Sequence, residues 1–192
     1  MDAVARSGPL PIAIASAATP WGPAVVAAGF DAVHAIALLA DESVVVRSVG
    51  RRTARPVVAL ARAPEEVAGV LRATLDDVDR YVADGPAFDG WRAPVGLVGV
   101  SDWDRRVLAA VARIPIGTTA SYGLVARSAG SPRAARAAGG AVGRNPVGLA
   151  IPCHRVIAGD GTIGGYGGSW SDDRAALVEL KRRLLEHEGV LV

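Results

Sequence analysis

The sequence has a single cysteine, few aromatic residues and no long uncharged apolar run. One thiol, Cys153, excludes an intramolecular disulfide and a zinc site built from several thiolates. We therefore expect a reducing, cytoplasmic setting. The longest apolar stretch, Pro23 to Ala40, contains Asp31 and His34, which interrupt the uncharged length that a membrane-spanning helix needs. The sequence thus predicts no membrane partner.

The charge of the chain is unevenly distributed. Its 192 residues are 51% hydrophobic and 21% charged, which is enough apolar material for a folded core. The net charge is only +2, yet residues 101–159 hold eight basic and two acidic side chains. A basic segment between slightly acidic flanks indicates a polyanion partner such as nucleic acid. An ordinary solvated surface is the alternative interpretation.

The first half of the chain is predicted to be an α/β unit. Short apolar runs from Leu10 to Val49, broken by turn-forming residues, predict three or four antiparallel strands. Apolar residues at helical spacing between Pro64 and Val82 predict one amphipathic helix packed on this sheet. The stretch 85–94 has the composition of a linker. We therefore expect a support domain over residues 1–90 and a second domain over residues 91–192.

The second half is predicted to be mainly helical. Ser101 is placed to cap a helix that ends before Pro115. Two short helices follow, at roughly Thr119 to Ala129 and Pro132 to Val142, with the dimensions of a helix-turn-helix. A last helix, capped at Ser171, comes after a glycine-rich stretch. Its predicted buried stripe is Leu177, Leu180 and Leu184.

Cys153 lies in the segment Ile-Pro-Cys-His-Arg, directly after an apolar run. A lone cysteine in such a setting is most often a small buried hydrophobe. Here Pro152 restricts the backbone, while His154 and Arg155 could supply hydrogen bonds or positive potential that favour the thiolate. A thiolate held rigidly beside such groups would be a nucleophile.

The second helix of the predicted pair is built almost entirely from small side chains. Glycine in a helix interior costs on the order of 1 kcal/mol relative to alanine, so Gly139 and Gly140 indicate that something approaches this backbone closely. Tight helix packing is the alternative interpretation. A slim helix that carries Arg133 and Arg136 could also enter the narrow minor groove of DNA.

Several short motifs occur in one order between about residues 103 and 189. They are Ser121-Tyr122-Gly123, Ala135-Arg136-Ala137, Gly139-Gly140-Ala141, Asn145-Pro146-Val147, Ile151-Pro152-Cys153-His154-Arg155-Val156-Ile157, Gly165-Tyr166 and His187-Glu188-Gly189. Together they resemble the O6-alkylguanine-DNA alkyltransferases, the methylated-DNA–protein-cysteine methyltransferases. Trp103-Asp104 departs from the family's usual Phe-Gln, and in the first half only residues 19–23 resemble the family, weakly.

The resemblance implies a DNA-repair enzyme that works once. Cys153 would accept the alkyl group of O6-alkylguanine, with O4-alkylthymine as a further candidate substrate. His154 would relay the thiol proton through a water, Glu188 would orient His154, and Asn145 would brace the turn that brings these groups together. Tyr122 would donate to guanine N3 and press on the neighbouring phosphate.

The resemblance also implies how the base is reached. Arg136 would fill the space left in the duplex when the nucleotide rotates out. Further DNA contacts would come from Ser121, Arg133, Gly139 and Gly140. The base pocket would be lined by Tyr166, Arg155, Val156 and Gly165.

The fold class implied is α/β, with a small ribonuclease-H-like antiparallel sheet and helix before a mainly helical domain that contains the helix-turn-helix. The expected partner is double-stranded DNA containing alkylated guanine, bound by a monomer. The first half has no cysteine to match the zinc ligands of some relatives, so neither a metal nor another cofactor is expected.

Elementary chemistry agrees with a single turnover. The alkylated oxygen lies inside the base stack, so a protein nucleophile can reach it only after the nucleotide is extruded. The product is a thioether, which has no carbonyl for water to attack. Two other functions stay open at this point: a DNA-binding module that recognises lesions without removing them, and a cysteine hydrolase. The hydrolase is disfavoured because adjacent residues such as Cys153 and His154 rarely present nucleophile and base to each other.

Overall fold

The computed structural model describes residues 9–167 and 170–191 of the chain. Its first half is built on a four-stranded sheet in the order β3-β2-β1-β4. The strands are β1 (Ile12–Thr19), β2 (Gly22–Ala28), β3 (Val33–Leu38) and β4 (Val57–Ala59). The first three strands pair in antiparallel fashion, as predicted, whereas β4 runs parallel to β1. The sheet is therefore mixed.

The prediction of strands as far as Val49 is wrong beyond residue 41. Helix α1 (Glu42–Thr53) occupies this segment and buries Val45 and Val49. Three consecutive valines favour a strand by propensity, but the Asp41 side chain accepts a hydrogen bond from the Ser43 amide at 2.7 Å and caps the helix. Because α1 is the crossover between β3 and β4, the last strand can pair in parallel with β1.

The predicted amphipathic helix is present as α2 (Glu65–Asp84), with Pro64 at its N-cap position. The sheet is buried on both faces, since Ile12 and Ile14 pack against α1 while Ala13 and Val26 pack with residues of α2. The first half therefore forms three layers. In the described part of the chain, no helix combines the length and apolarity needed to cross a membrane.

The second half is mainly helical, as predicted. It contains α3 (Asp102–Val111), β5 (Ala120–Ser121), α4 (Tyr122–Ser128), α5 (Ala135–Gly143), β6 (Val156–Ile157) and α6 (Arg174–His187). Ser101 caps α3 through a hydrogen bond to the Asp104 amide, which confirms that prediction.

Three boundaries in this half differ from the prediction. The first helix of the pair begins at Tyr122 rather than Thr119, because Ala120–Ser121 form β5 and Ser121 caps α4. The second helix of the pair begins at Ala135 rather than Pro132, which leaves Arg133 in the connecting turn. The cap of α6 is Asp173 and not Ser171: the Asp173 carboxylate accepts from the Ala176 amide at 3.0 Å, while Ser171 Oγ accepts from the Asp173 amide. The N-cap of α6 is therefore two residues further along the chain than predicted. The predicted buried stripe is confirmed at Leu177, Leu180 and Leu184.

One apolar cluster joins the two halves. Val147 and Leu184 pack in the same buried cluster as Ile36 of β3 and Leu71 of α2. Gly148 allows a close approach, because a Cβ there would lie 3.0 Å from the Ile36 carbonyl oxygen. The sheet therefore supports the loop that leads to Cys153. The division into domains at residue 90 stays a prediction.

Candidate active site and nucleic-acid interface

Cys153 begins a 3-10 turn, Cys153–Arg155, between a buried loop and β6. Its side chain is only 7% exposed, yet it forms part of the wall of an open cleft of about 260 Å³. The cleft is lined by Tyr122, Gly139, Val142, Gly143, Cys153, Gly165, Tyr166, Gly167 and Arg174. The thiol is thus shielded from bulk water and still reachable by a ligand in the cleft.

Asn145 holds the loop before Cys153 in place. Its Nδ2 donates to the Ile151 carbonyl at 2.8 Å, and its Oδ1 accepts from the Val147 amide at 3.1 Å. The side chain also hydrogen-bonds to Cys153. Because Asn145 is itself buried, these bonds fix the path of the chain from residue 145 to the thiol.

Cys153 is a thiol rather than a thiolate at neutral pH. Burial raises the pKa of Cys153, and this effect outweighs hydrogen bonds from Asn145 and Tyr166 and the positive charge of Lys181. The Arg155 guanidinium, which was expected to favour the thiolate, binds Glu188 instead. The thiol therefore has to lose its proton during the reaction.

A buried ion-pair network lies next to the thiol in sequence. His154 Nε2 is 2.8 Å from Glu188 Oε1. Arg155 binds the same carboxylate with two nitrogens, Nε to Oε2 at 2.7 Å and Nη2 to Oε1 at 2.8 Å. All three side chains are buried, and the Glu188 carboxylate offsets the charge of Arg155.

The protonation states in this network follow from its hydrogen bonds. Burial acts to raise the pKa of Glu188, but the hydrogen bonds from His154 and Arg155 outweigh it and lower the pKa to about 2. Glu188 is therefore a carboxylate and accepts the proton on His154 Nε2. Burial lowers the pKa of His154, so its ring is neutral and Nδ1 carries a lone pair. Within the described residues that buried Nδ1 has no hydrogen-bond partner, which leaves it free to accept a proton.

Sequence reasoning missed Lys181. This residue of α6 is fully buried, and its Nζ donates to the carbonyls of Val156, Ile163 and Gly165 at 2.5, 2.6 and 3.1 Å. Burial lowers the pKa of Lys181 to about 8. A signal was present in the sequence, because Lys181 is the only lysine among the 21 lysine and arginine residues and lies on the apolar face of its helix.

Tyr81 was missed as well. It belongs to α2 in the first half of the chain, and its Oη donates to Glu188 Oε1 at 2.8 Å. Helical spacing alone predicts a core position here, and nothing in the local sequence indicates a contact 107 residues away.

The cleft wall contains part of the predicted base pocket. Tyr166 and Gly165 line the cleft, and Tyr122 Oη donates to the Gly165 carbonyl at 3.3 Å. Arg155 and Val156 lie outside the lining, because Arg155 turns to Glu188 and Val156 is buried in the helical core.

The predicted DNA-contacting residues fall on the surface of the helix pair. Arg136 and Gly140 are exposed on α5, and Arg133 is exposed in the turn before it. Gly139 faces the cleft, since a Cβ there would lie 3.6 Å from the Tyr122 ring. Ser121 caps α4 by accepting from the Leu124 amide at 3.2 Å. Of these residues only Gly139 lines the cleft, and Arg136 lies three residues before it on α5.

The fold and the site define a class of protein in which a cysteine lies in a cleft beside a basic helix pair. The cysteine is followed in sequence by a histidine that is hydrogen-bonded to a buried glutamate. Residues 102–190 match the family described as 6-O-methylguanine DNA methyltransferase, DNA binding domain. The chain is similar to the crystal structure of the Mycobacterium tuberculosis O6-methylguanine methyltransferase, at 30% identity and a TM-score of 0.68 over 92% of both chains. The chain belongs to this O6-methylguanine methyltransferase family.

Other relatives agree with this assignment. The methylated-DNA–protein-cysteine methyltransferase of Methanothermobacter thermautotrophicus is 45% identical over 121 residues, which cover 62% of each chain. The protein of the same name from Mycolicibacterium paratuberculosis is 48% identical over 83 residues, 43% of this chain and 50% of that one. The chain thus spans about three-fifths and one half of the length of these curated relatives. The M. tuberculosis OGT structure in complex with DNA matches with a TM-score of 0.67 and 30% identity over 92% of this chain and 91% of that one.

Proposed function

We propose that this protein repairs DNA by transferring the alkyl group of O6-alkylguanine to Cys153 Sγ, once per molecule. The observation that carries the proposal is the position of Cys153, the chain's only thiol, in the wall of an open cleft and directly before a buried His154–Glu188 pair. Two relatives that are named methylated-DNA–protein-cysteine methyltransferase support this activity. All of these groups belong to one copy of the chain, so a monomer suffices.

The transfer needs a proton to leave the thiol. His154 Nδ1, with its unshared lone pair, accepts the Cys153 proton through a water, and the Glu188 carboxylate stabilises the resulting imidazolium. The thiolate then attacks the saturated carbon of the alkyl group. The S–C bond forms as the C–O6 bond breaks, and the electron pair stays on the guanine. Tyr122 Oη gives up its hydrogen bond to the Gly165 carbonyl to donate to guanine N3, and the guanine finally gains the proton that the thiol lost.

The substrate base has to leave the duplex to reach the cleft. Extrusion costs a few kcal/mol, and less for a damaged and poorly paired base. Arg136 is exposed on α5, and Gly139 on the same helix faces the cleft. We therefore place α5 in the minor groove, with Arg136 in the space that the base vacates. The basic character of residues 101–159 supports a polyanion at this surface.

Intact mass is the decisive test of the proposed function. Incubation with an excess of duplex containing O6-methylguanine should add one methyl group to the protein, and peptide mapping should place it on Cys153. The matched control is Cys153→Ser, which should bind the duplex with the wild-type affinity and gain no mass, because a serine hydroxyl is far less acidic than a thiol.

The same incubation with excess duplex measures how many lesions one protein molecule repairs. The number of repaired lesions should level off at one per protein molecule, because the chain offers no group that would cleave a thioether. Sustained turnover contradicts the proposed mechanism. Binding of damaged duplex without a change of mass would instead identify a module that only recognises lesions, and catalytic cleavage of an ester or peptide would identify a hydrolase.

A further inference from the structure

Tyr81 connects the first half of the chain to the group that holds His154. It lies near the end of α2, and its Oη donates a hydrogen bond to Glu188 Oε1 at 2.8 Å. Tyr81 and Glu188 are both buried, so no solvent competes for this bond. The sheet-bearing half thus supplies a polar group that contacts the carboxylate of the site directly.

Glu188 Oε1 is shared among three donors. Besides Tyr81 Oη, it accepts from His154 Nε2 and Arg155 Nη2, each at 2.8 Å. A carboxylate oxygen offers two lone pairs, so each donor reduces the electron density that is available to the others. The Tyr81 hydroxyl therefore weakens the pull of Glu188 on the proton of His154.

We propose that Tyr81 is a positioning residue for the proton transfer from Cys153, an inference that rests on the proposed function. Its hydroxyl fixes the Glu188 carboxylate and sets how strongly that carboxylate stabilises the protonated ring of His154. The first half of the chain then contributes to the chemistry as well as to the support of the second half.

The ring of Tyr81 is held independently of its hydroxyl. It packs against four other aromatic rings at centroid distances between 5.4 and 6.2 Å. These rings are Trp21, Phe88, Trp91 and His187. Because these four rings, which we call the aromatic cage, contact the ring carbons of Tyr81, Tyr81→Phe removes the hydrogen bond and leaves the packing in place.

The other titratable and charged groups around the carboxylate stay unchanged in this variant. They are His154 and Arg155 in the turn, Tyr166 at the cleft, Cys153, Lys181 on α6 and His187, whose Nε2 lies 2.9 Å from the Tyr81 carbonyl oxygen. A change in the titration of His154 is therefore attributable to the lost hydroxyl.

Histidine NMR tests this inference without DNA. The chain has three histidines, so the ring signals of His154 and His34 can be followed separately from about pH 9 down to the acid limit of the folded protein. With one donor fewer, Glu188 becomes more basic, and the pKa of His154 should rise by roughly half to one pH unit in Tyr81→Phe. His34, which lies in β3, should titrate as in the wild type.

Kinetics supply the second measurement. In single-turnover repair of an O6-methylguanine duplex, Tyr81→Phe should move the acid limb of the rate profile to higher pH by the same amount. The affinity for duplex should not change. Phe88→Leu is the matched control, since it loosens the aromatic cage without touching Glu188 and should lower the melting temperature while leaving the acid limb in place.

The two proposals fail in different ways. A wild-type protein that gains no methyl group contradicts the proposed function. A wild-type protein that does gain it, together with a Tyr81→Phe variant whose His154 titration and acid limb equal those of the wild type, overturns the role of Tyr81. A loss of rate by one factor at every pH would mark a purely structural contribution and would overturn it too.

Discussion

Lys181 is the cation whose charge acts on Cys153, although it lies 28 residues further along the chain. Its ammonium group is fully buried and satisfied by three carbonyl oxygens. An opposite charge close to an acid commonly lowers its pKa by one unit or more. Lys181 thus offsets part of the burial that raises the pKa of the thiol.

Removal of this charge should make the thiol harder to ionise. In Lys181→Met, iodoacetamide should alkylate Cys153 roughly tenfold more slowly at pH 7, where Lys181, with a pKa of about 8, still carries its charge. Lys181→Arg is the control, because it keeps a positive charge of similar reach. The role of Lys181 is contradicted if the methionine variant and the wild type react at the same rate at pH 7 while both remain folded by circular dichroism.

The residues of the site differ in how far the sequence could predict them. Cys153 and His154 are neighbours in one motif, so the sequence alone was sufficient to select both. Lys181 and Tyr81 lie on helix faces that bury apolar side chains. Helical periodicity predicts that such positions are buried, but it does not predict what their polar groups contact. Their contacts depend on how distant segments pack, which no local pattern contains.

At the scale of elements, the longest segment whose secondary structure was wrongly predicted is α1. Three consecutive valines, at positions 44–46, have a strong strand propensity, and the sequence therefore predicted a strand there. The Asp41 cap and the burial of Val45 and Val49 four residues apart favoured a helix instead. The parallel pairing of β4 could not be predicted without this helix, because a parallel connection needs a crossover.

Helix α5 forms part of the cleft through a residue without a side chain. At Gly139 a Cβ would meet the Tyr122 ring at 3.6 Å, which is an ordinary contact distance. Gly139→Ala should therefore keep the transfer activity and raise the free energy of unfolding by about 0.5 to 1 kcal/mol, since alanine is the better helix former. Gly139→Leu should fill the cleft and slow the transfer on the order of a hundredfold, because the alkyl carbon no longer reaches Sγ.

Gly69 of α2 provides the comparison for this prediction. It is a helical glycine with no heavy atom within 4 Å of the place where its Cβ would be, and it lies away from the cleft lining. Gly69→Leu should leave the single-turnover rate unchanged. If Gly139→Leu reacts as fast as the wild type with both duplex and free O6-alkylguanine, α5 does not form the wall of the substrate site.

At the scale of the whole molecule, the two halves share both a core and a network. The apolar cluster joins Ile36 and Leu71 of the first half to Leu184 of the second. The polar network joins Tyr81 to Glu188 in the same way. The sequence predicted each half as a unit with the right class of structure, but it could not predict this shared interior, because the pairing of the two apolar surfaces is decided only in the folded chain.

The buried Glu188 carboxylate also predicts how the whole protein responds to acid. Its pKa is about 2 in the folded chain against 4.5 as the ordinary value, so the unfolded chain binds the extra proton first as the pH falls. The stability that Glu188 contributes is complete above about pH 4.5 and is lost as the pH falls towards 2, with up to roughly 3 kcal/mol at stake.

Urea unfolding at a series of acidic pH values measures this contribution. The wild type should lose stability steeply below about pH 4.5, and Glu188→Gln, which has no proton to gain, should lose it more gradually. Glu179→Gln is the control, because Glu179 is an exposed carboxyl on the same helix and its loss should leave the slope unchanged. Since Glu188 binds Tyr81 of the first half and His154 and Arg155 of the second, tryptophan fluorescence and circular dichroism should report one common transition. Separate transitions, or equal slopes for the wild type and Glu188→Gln, would mean that this carboxylate does not couple the two halves.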